Sequence, residues 1–393
     1  MLEKISSLLL KLQPENAHSV VEFCLRNLAV LPIVQDILAH NFVLRDSRLA
    51  NTLLDLSFDN PVGLAAGFDK NATMCRGLSL LGFGFLEIGT ITQNPQSGNP
   101  KPRIFRFLQE RSLQNCMGFN NQGVQNVTKH LQSITPFCLP LGINIGKNKI
   151  IAQDDSLRNY ENALKGLLAY GDYFVLNVSS PNTPQLRDLQ NKEFIGSLCN
   201  MARSYTDKPI FIKLSPDMHT QDLLEVIQQA IDNGVSGIIA TNTTTNYSLL
   251  QGSKEEGGIS GEALREYAKD VFRTITKEFF GKTLLISVGG ISNAQEAYER
   301  LKMGASLIQV YTGLIYEGPG LIRDINLGIL GLMSQDGFEH ISQVIGSDYR
   351  KTHENLTNPI ESKISRTPTK KNSTQDSSLQ TKRRAKTRNH TRI

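Results

Sequence analysis

The stretch Tyr173-Phe174-Val175-Leu176-Asn177-Val178-Ser179-Ser180-Pro181-Asn182-Thr183 sets an apolar run against a polar cluster. Tyr173–Leu176 reads as a buried strand, since a short apolar run bounded by polar residues suits a strand covered on both faces. Two amides, three hydroxyls and a proline then gather at its carboxyl end. Ser, Asn and Thr also cap helices, so the segment alone suits a helix N-terminus as well as a binding site. What separates the two readings is repetition, because similar clusters close other strands of the chain.

Working outward, residues 60–330 alternate short apolar runs with stretches of helical period. The strand candidates are Val62–Ala66, Phe85–Gly89, Leu139–Ile145, Tyr173–Val178, Ile210–Leu214, Gly237–Thr241, Leu284–Val288 and Leu307–Val310. Eight such units, evenly spaced, predict a (β/α)8 TIM barrel; a doubly wound sheet is the alternative. Arg103–Leu108 and Ser112–Leu113 predict a hairpin between the second and third strands.

Two other segments flank the barrel. In residues 1–45, Leu2, Ile5, Leu8, Leu9 and Leu12 form one helical stripe that stops before Pro14. Ala17, Val20, Val21, Cys24, Leu25 and Leu28 form a second, and Ile33, Val34, Ile37 and Leu38 a third after Pro32. These are short amphipathic helices; early acidic residues and the lack of a small-residue cleavage site argue against a removable signal peptide. Residues 351–393 hold eleven Lys/Arg against three acidic residues, which leaves the preceding 350 residues at −3 of the total +5. The basicity therefore belongs to a tail, poor in apolar residues and expected to be disordered. Its Lys382-Arg383-Arg384-Ala385-Lys386 cluster suits anionic lipid or nucleic acid, though composition favours a solvated, functionally quiet extension. The division expected is 1–45, 46–346 and 347–393.

The five cysteines are scattered with no C-x-x-C pair, and the seven histidines show no H-x-x-x-H spacing. That argues against a disulfide framework and against a bound metal. No apolar run reaches the length that spans a bilayer.

The strand ends carry the chemistry. The first closes Ala65-Ala66-Gly67-Phe68-Asp69-Lys70 and the second Gly89-Thr90, followed by Asn115-Cys116-Met117-Gly118-Phe119-Asn120-Asn121. The third closes with Asn144, the fifth with Lys213 and the sixth with Thr241-Asn242-Thr243-Thr244. The seventh, Val288-Gly289-Gly290, and the eighth, Val310-Tyr311-Thr312-Gly313, match a phosphate grip made of backbone amides. Lysines at strand ends are often plain solvated charges, but Lys70 and Lys213 sit in apolar surroundings, which favours function. Amides dominate the set, which suits a planar ligand with several carbonyls and ring N–H groups.

In order, G-x-A-A-G-x-D-K, N-x-M-G-F-N-N, N-x-S-S-P-N-T, T-N-T-T and S-V-G-G-I resemble the membrane-associated, quinone-reducing class of dihydroorotate dehydrogenases. The resemblance runs from Leu9 to Gly346. It implies flavin mononucleotide (FMN) held by Ala66, Gly67, Phe68, Asp69, Lys70, Thr90, Asn144, Asn177, Lys213, Thr241, Gly261, Gly290, Tyr311 and Thr312. It implies dihydroorotate bound by Lys70, Asn115, Cys116, Met117, Gly118, Phe119, Asn177, Asn182, Asn242 and Thr243. Ser180 would be the base, with Phe119 and Thr183 beside its proton path, and His18, Arg106 and Tyr311 would line a quinone path. The family often has Arg where Cys116 stands, and Pro-Arg where Gln93-Asn94 stands. The resemblance also implies a peripheral protein on the cytoplasmic side of a bacterial inner membrane. A monomer is expected, with no nucleic-acid partner.

Two rival functions belong near this family. A soluble member using fumarate or NAD would carry Cys at position 180, and a flavin barrel for another substrate would not need so many amides. A third reading, an adaptor defined by the basic tail, leaves the strand ends unexplained.

Overall fold

The computed structural model describes residues 9–350, so Leu2, Ile5 and Leu8 of the first stripe and the whole basic tail lie outside the described residues. Two antiparallel strands come first in the chain after the N-terminal helices, β1 (Asn51–Leu53) and β2 (Leu56–Phe58). The barrel is built from β3 (Val62–Leu64), β4 (Phe85–Ile91), β7 (Leu141–Ile145), β8 (Tyr173–Asn177), β9 (Ile210–Leu214), β10 (Gly237–Ala240), β12 (Leu284–Val288) and β13 (Leu307–Val310). These eight are parallel and closed, with β13 paired to β3 through Gln309 opposite Gly63. Outside the ring lie β5 (Ile104–Phe107) and β6 (Ser112–Asn115), the expected hairpin, joined by β11 (Gly258–Gly261) along β6.

Every strand candidate is a barrel strand, with ends shifted by a few residues. β3 stops at Leu64 because Gly67, at φ +102°, turns the chain out of the ladder. β7 starts at Leu141 rather than Leu139, just after Pro140, which lacks a ladder donor. Two elements were not anticipated, the β1–β2 hairpin and β11.

The barrel interior is filled in layers. Across neighbouring strands, an aromatic ring occupies the space that a glycine leaves free: Phe85 over Gly63, Tyr173 over Gly142 and Phe211 over Gly237. A Cβ at any of these glycines would lie 2.1–2.4 Å from the ring. Leu53 and Phe58 of the first hairpin pack under these rings, with Phe58 edge-on to Phe85 at 5.5 Å, and they close the floor. The site therefore has only the opposite, carboxyl end of the strands to occupy.

Over that end sits a cap of two helices, α1 (Pro14–Phe23) and α2 (Pro32–Phe42), each with proline at its first position. α1 runs on into one wide turn, Cys24–Leu28, where Ala29 N donates to Cys24 O across five residues. The two arms meet at 116°, and no single helix among the described residues is long and apolar enough to cross a membrane.

Candidate active site

Strand periodicity builds the site from below. Side chains two apart point the same way, so the residues after the floor layer also face inward, nearer the mouth. Above Phe85 comes Glu87, above Gly142 comes Asn144, above Phe211 comes Lys213, and above Leu307 comes Gln309; all four are buried. Glu87 accepts hydrogen bonds from Asn144 Nδ2 (2.7 Å) and from Gln309 Nε2.

That carboxylate, bound through both oxygens, sets the direction of a longer chain. With its Nδ2 committed to Glu87, Asn144 presents Oδ1 to Thr90 Oγ1 (2.6 Å) and Asn177 Nδ2 (3.1 Å). Asn177 Oδ1 then accepts from the Ser179 hydroxyl (2.9 Å), which in turn accepts from Asn242 Nδ2 (2.8 Å). Asn242 Oδ1 accepts from Thr243 N at 2.7 Å. Each amide is thus oriented by its neighbour rather than free to flip.

On the far wall, Asn182 Nδ2 donates to Asn115 Oδ1 (3.1 Å), while the buried Asn182 Oδ1 has no partner. Ser180, 5% exposed, accepts from Asn182 N at 3.2 Å. The hydroxyl of Thr183, on the same turn, is enclosed and unpartnered. Arg187 ties this turn down, donating to Ser179 O (3.0 Å), Thr243 O (2.8 Å) and the Asp217 carboxylate (2.6 Å).

Two lysines face the chamber. Lys70 Nζ donates to Gly67 O at 2.6 Å, and Tyr311 donates to the same carbonyl at 3.1 Å. Burial, helped by Arg103, lowers the Lys70 ammonium to about 8. Lys213 is 5% exposed, and among the described residues no acceptor engages its ammonium. Burial lowers its pKa too, against the pull of Glu87. A buried ammonium without an acceptor is costly unless a ligand supplies one. At Gly290, φ is +75° and a Cβ would lie 2.3 Å from Arg265 Cα, so only glycine makes this turn beside Thr312. These features fit FMN: a ring with carbonyls for Lys213 and a phosphate for the turn.

One continuous cavity contains these groups and extends under the cap. Val20, Val21, Cys24, Leu25, Leu38 and Phe42 line its apolar end. At the junction stand three rings in a row: His18 against Phe68 at 5.4 Å, and Phe68 against Tyr311 at 5.6 Å, both edge-to-face. His18 Nε2 lies 2.8 Å from Phe68 O, and burial followed by Lys70 lowers its pKa. Tyr311 is pushed up to about 12 by burial, so its phenol stays protonated. Arg106 donates to Leu10 O (2.9 Å) and Leu12 O, and its buried Nε has no partner.

The cavity lining takes in Ser180, His18 and Arg106, and most of the residues expected for flavin and substrate. Three do not reach it. Asp69 faces away: its carboxylate accepts from the Asn71, Thr73 and Met74 amides and shapes the turn that carries Lys70. Asn144 stands behind Thr90 and Asn177 and orients them. Cys116 is turned inward, its thiol 3.7 Å from Arg103 O and pushed up by burial. Glu87, Gln309, Arg187 and Arg103 were not singled out from sequence; the signal for the first two was a polar residue inside an apolar run.

Such a chamber places the protein among (β/α)8 barrels that enclose an anionic cofactor and a small polar substrate together. A family model described as dihydroorotate dehydrogenase matches residues 48–333. A protein of Nitratiruptor named dihydroorotate dehydrogenase (quinone) is 47% identical over 348 residues, 88% of this chain and 99% of its own length. One of the same name from Sulfurimonas denitrificans is 49% identical over 346 residues, 88% and 98% of the two chains. The crystal structure of dihydroorotate dehydrogenase from Eimeria tenella in complex with ferulenol superposes with a TM-score of 0.78 at 34% identity, covering 86% of this chain and 96% of that one. The chain belongs to the dihydroorotate dehydrogenase family.

Proposed function

We propose that the protein oxidises dihydroorotate to orotate in pyrimidine biosynthesis and delivers the electrons to a membrane quinone. The observation that carries this reading is the single cavity with a polar chamber at one end and an apolar passage at the other. Bound FMN would take up hydride from C6 of the substrate and hand electrons on to quinone. Asn115, Asn177, Asn182 and Asn242 hold the pyrimidine amides, with Asn182 Oδ1 available for a ring N–H. Ser180 removes the C5 proton. A hydroxyl is a weak base by itself, so its proton leaves through the enclosed Thr183 hydroxyl, on a path that Phe119 flanks. Lys70 stabilises charge building on the ring as that bond breaks. Lys213, Thr90, Thr241, Gly261, Gly290 and Thr312 hold the cofactor.

In the passage, His18, Arg106 and Tyr311 present polar groups to quinone carbonyls. The outer face of the cap is apolar, with Phe23 61% and Ile33 70% exposed. That face supports a cap, residues 1–45, lying in the surface of the inner membrane on its cytoplasmic side without crossing it. Residues 46–346 form the catalytic barrel and 347–393 the basic tail. One chain completes the cavity, which supports a monomer.

The test is the absorption spectrum of the purified protein. Anaerobic dihydroorotate should bleach a flavin band and a quinone should restore it. A protein without a flavin band, or one that dihydroorotate leaves oxidised, would overturn the reading.

A further inference from the structure

One fully buried cation has no part in the chemistry above. Arg300 lies in the helix Ala294–Lys302 that follows β12 and is 0% exposed. Its guanidinium donates to Ser287 Oγ (3.1 Å), Arg265 O (3.0 Å) and Gly289 O (3.3 Å), and its Nε donates to nothing. All three acceptors are neutral. Among the described residues no carboxylate comes within 4.0 Å of it. Glu296 and Glu299, on its own helix, pair with Lys269 instead. A buried charge with hydrogen bonds but no ion-pair contact is an unfinished arrangement.

The position of the guanidinium says what finishes it. In a planar trans peptide the C=O and the following N–H point in opposite directions. Arg300 holds Gly289 O from behind, so the Gly290 N–H points away from the guanidinium. Arg265 does the same one residue on, holding Gly290 O at 3.1 Å, so the Ile291 N–H points away from that guanidinium. Neither amide donates to a protein acceptor among the described residues, and Gly289, Gly290 and Ile291 all line the cavity. Arg265 differs in one respect: Glu262 lies 2.9 Å away and neutralises it. Arg300 has no carboxylate in contact, and Glu296, Glu266 and Glu299 act on it only from beyond ion-pair distance.

We propose that Arg300 is the buried counter-charge of the flavin phosphate, positioning the Gly289–Gly290 peptide and attracting the dianion through it. The inference rests on the FMN reading above. Burial lowers the Arg300 pKa to about 10, against Glu296, Glu266 and Glu299, so the group is charged at neutral pH. A charge acting across one peptide in a low-dielectric site favours the ligand that carries the opposite charge. Riboflavin, which has the same ring and no phosphate, gains nothing from it.

The experiment compares Arg300→Lys, which keeps the charge, with Arg300→Gln, which removes it at similar length; Arg300→Met is a second neutral variant. The dissociation constant for FMN is read from flavin fluorescence released on dilution of the full-length holoenzyme. Stabilisation by riboflavin is read as the rise in thermal midpoint. The neutral variants should weaken FMN by about tenfold or more and Arg300→Lys by less than about threefold. The riboflavin shift should be alike in all. Equal FMN loss in Lys and neutral variants, unchanged FMN affinity, or a parallel loss of riboflavin binding would overturn the proposal. A wild-type protein that binds riboflavin and FMN equally would overturn it as well, while leaving the flavin reading intact. Wild type that binds neither removes the cofactor reading and this inference together.

Discussion

At the scale of single residues, the proposed mechanism asks groups to act outside their ordinary chemistry. Ser180, proposed as the base, is the plainest case, because a hydroxyl needs a proton relay to serve as one. Replacing it with Ala should leave orotate binding and flavin content intact and slow flavin reduction by about 10²–10⁴-fold, the usual worth of a general base. Stopped-flow reduction at near wild-type speed would remove Ser180 from the mechanism. Lys70 gives a pH signature. Its pKa falls to about 8 in the folded protein from an ordinary 10.5. Its charge is therefore present below about pH 8 and lost as pH rises through it, and orotate affinity should fall over that interval. The effect on stability has the opposite sign. Between about pH 8 and 10.5 the unfolded chain binds the extra proton, so the Lys70 contribution to folding improves as pH rises. Orotate titrations on either side of pH 8 test the binding limb, and Lys70→Arg should abolish it. A flat profile in the wild type would show that Lys70 does not bind substrate.

The strand ends were legible because the chain gathers amides and hydroxyls where apolar runs stop. Asp69, Asn144 and Cys116 were not legible as wall residues rather than lining. Sequence position puts them beside the cavity, while their orientation follows from amides and carbonyls supplied by other segments. Arg300 and Arg187 were hidden for the same reason, since each looks like an ordinary surface cation until its acceptors are known.

At the scale of elements, the cap is held to the barrel by few polar contacts. Arg103, almost wholly buried, bonds Glu15 twice (3.2 and 3.1 Å) and also Ser97 O and Asn99 O. Lys101 reaches Glu15 at 3.2 Å, and Glu22 accepts from Thr73 at 2.7 Å. Burial would raise the Glu15 carboxyl, but Arg103 and Lys101 together bring it below its ordinary value. Glu15→Ala leaves a buried guanidinium half-paired, a type of change that costs about 3 kcal/mol or more when burial is complete and less at this partly open site. We expect quinone reduction to fall severalfold while anaerobic flavin reduction by dihydroorotate holds. Equal damage to both half-reactions would mean that Glu15 serves the barrel as a whole.

The barrel strands and the β5–β6 hairpin could be read locally from composition and spacing. β11 could not. It pairs Gly258 with Asn115 and Gly261 with Ser112, contacts far apart in the chain, and four residues rich in glycine carry no strand signal of their own. The β1–β2 hairpin was missed because its strands are three residues each, too short for alternation to register.

For the whole molecule, charge and function are segregated. Among the described residues, those that line the cavity fall between Leu9 and Pro319. Removing residues 351–393 should therefore leave both half-reactions and the thermal midpoint as they are, while moving the formal charge of the protein from +5 to −3. Loss of turnover in that truncated protein, assayed with a soluble quinone analogue, would give the tail a catalytic role.

The two ends of the cavity differ in what they demand of a sequence. An amide in the chain from Asn144 to Asn242 is specified by its neighbours, and changing it leaves a partner unsatisfied. The passage under the cap asks only for apolar side chains of workable size, and such walls accept Leu, Ile, Val or Met with little loss. The chamber therefore tolerates little change, while the passage wall can change shape at small cost. A small molecule shaped to Val20, Val21, Leu25 and Leu38 would accordingly distinguish this protein from a relative with the same chemistry, which a substrate mimic could not do. Selective inhibition belongs at the greasy end.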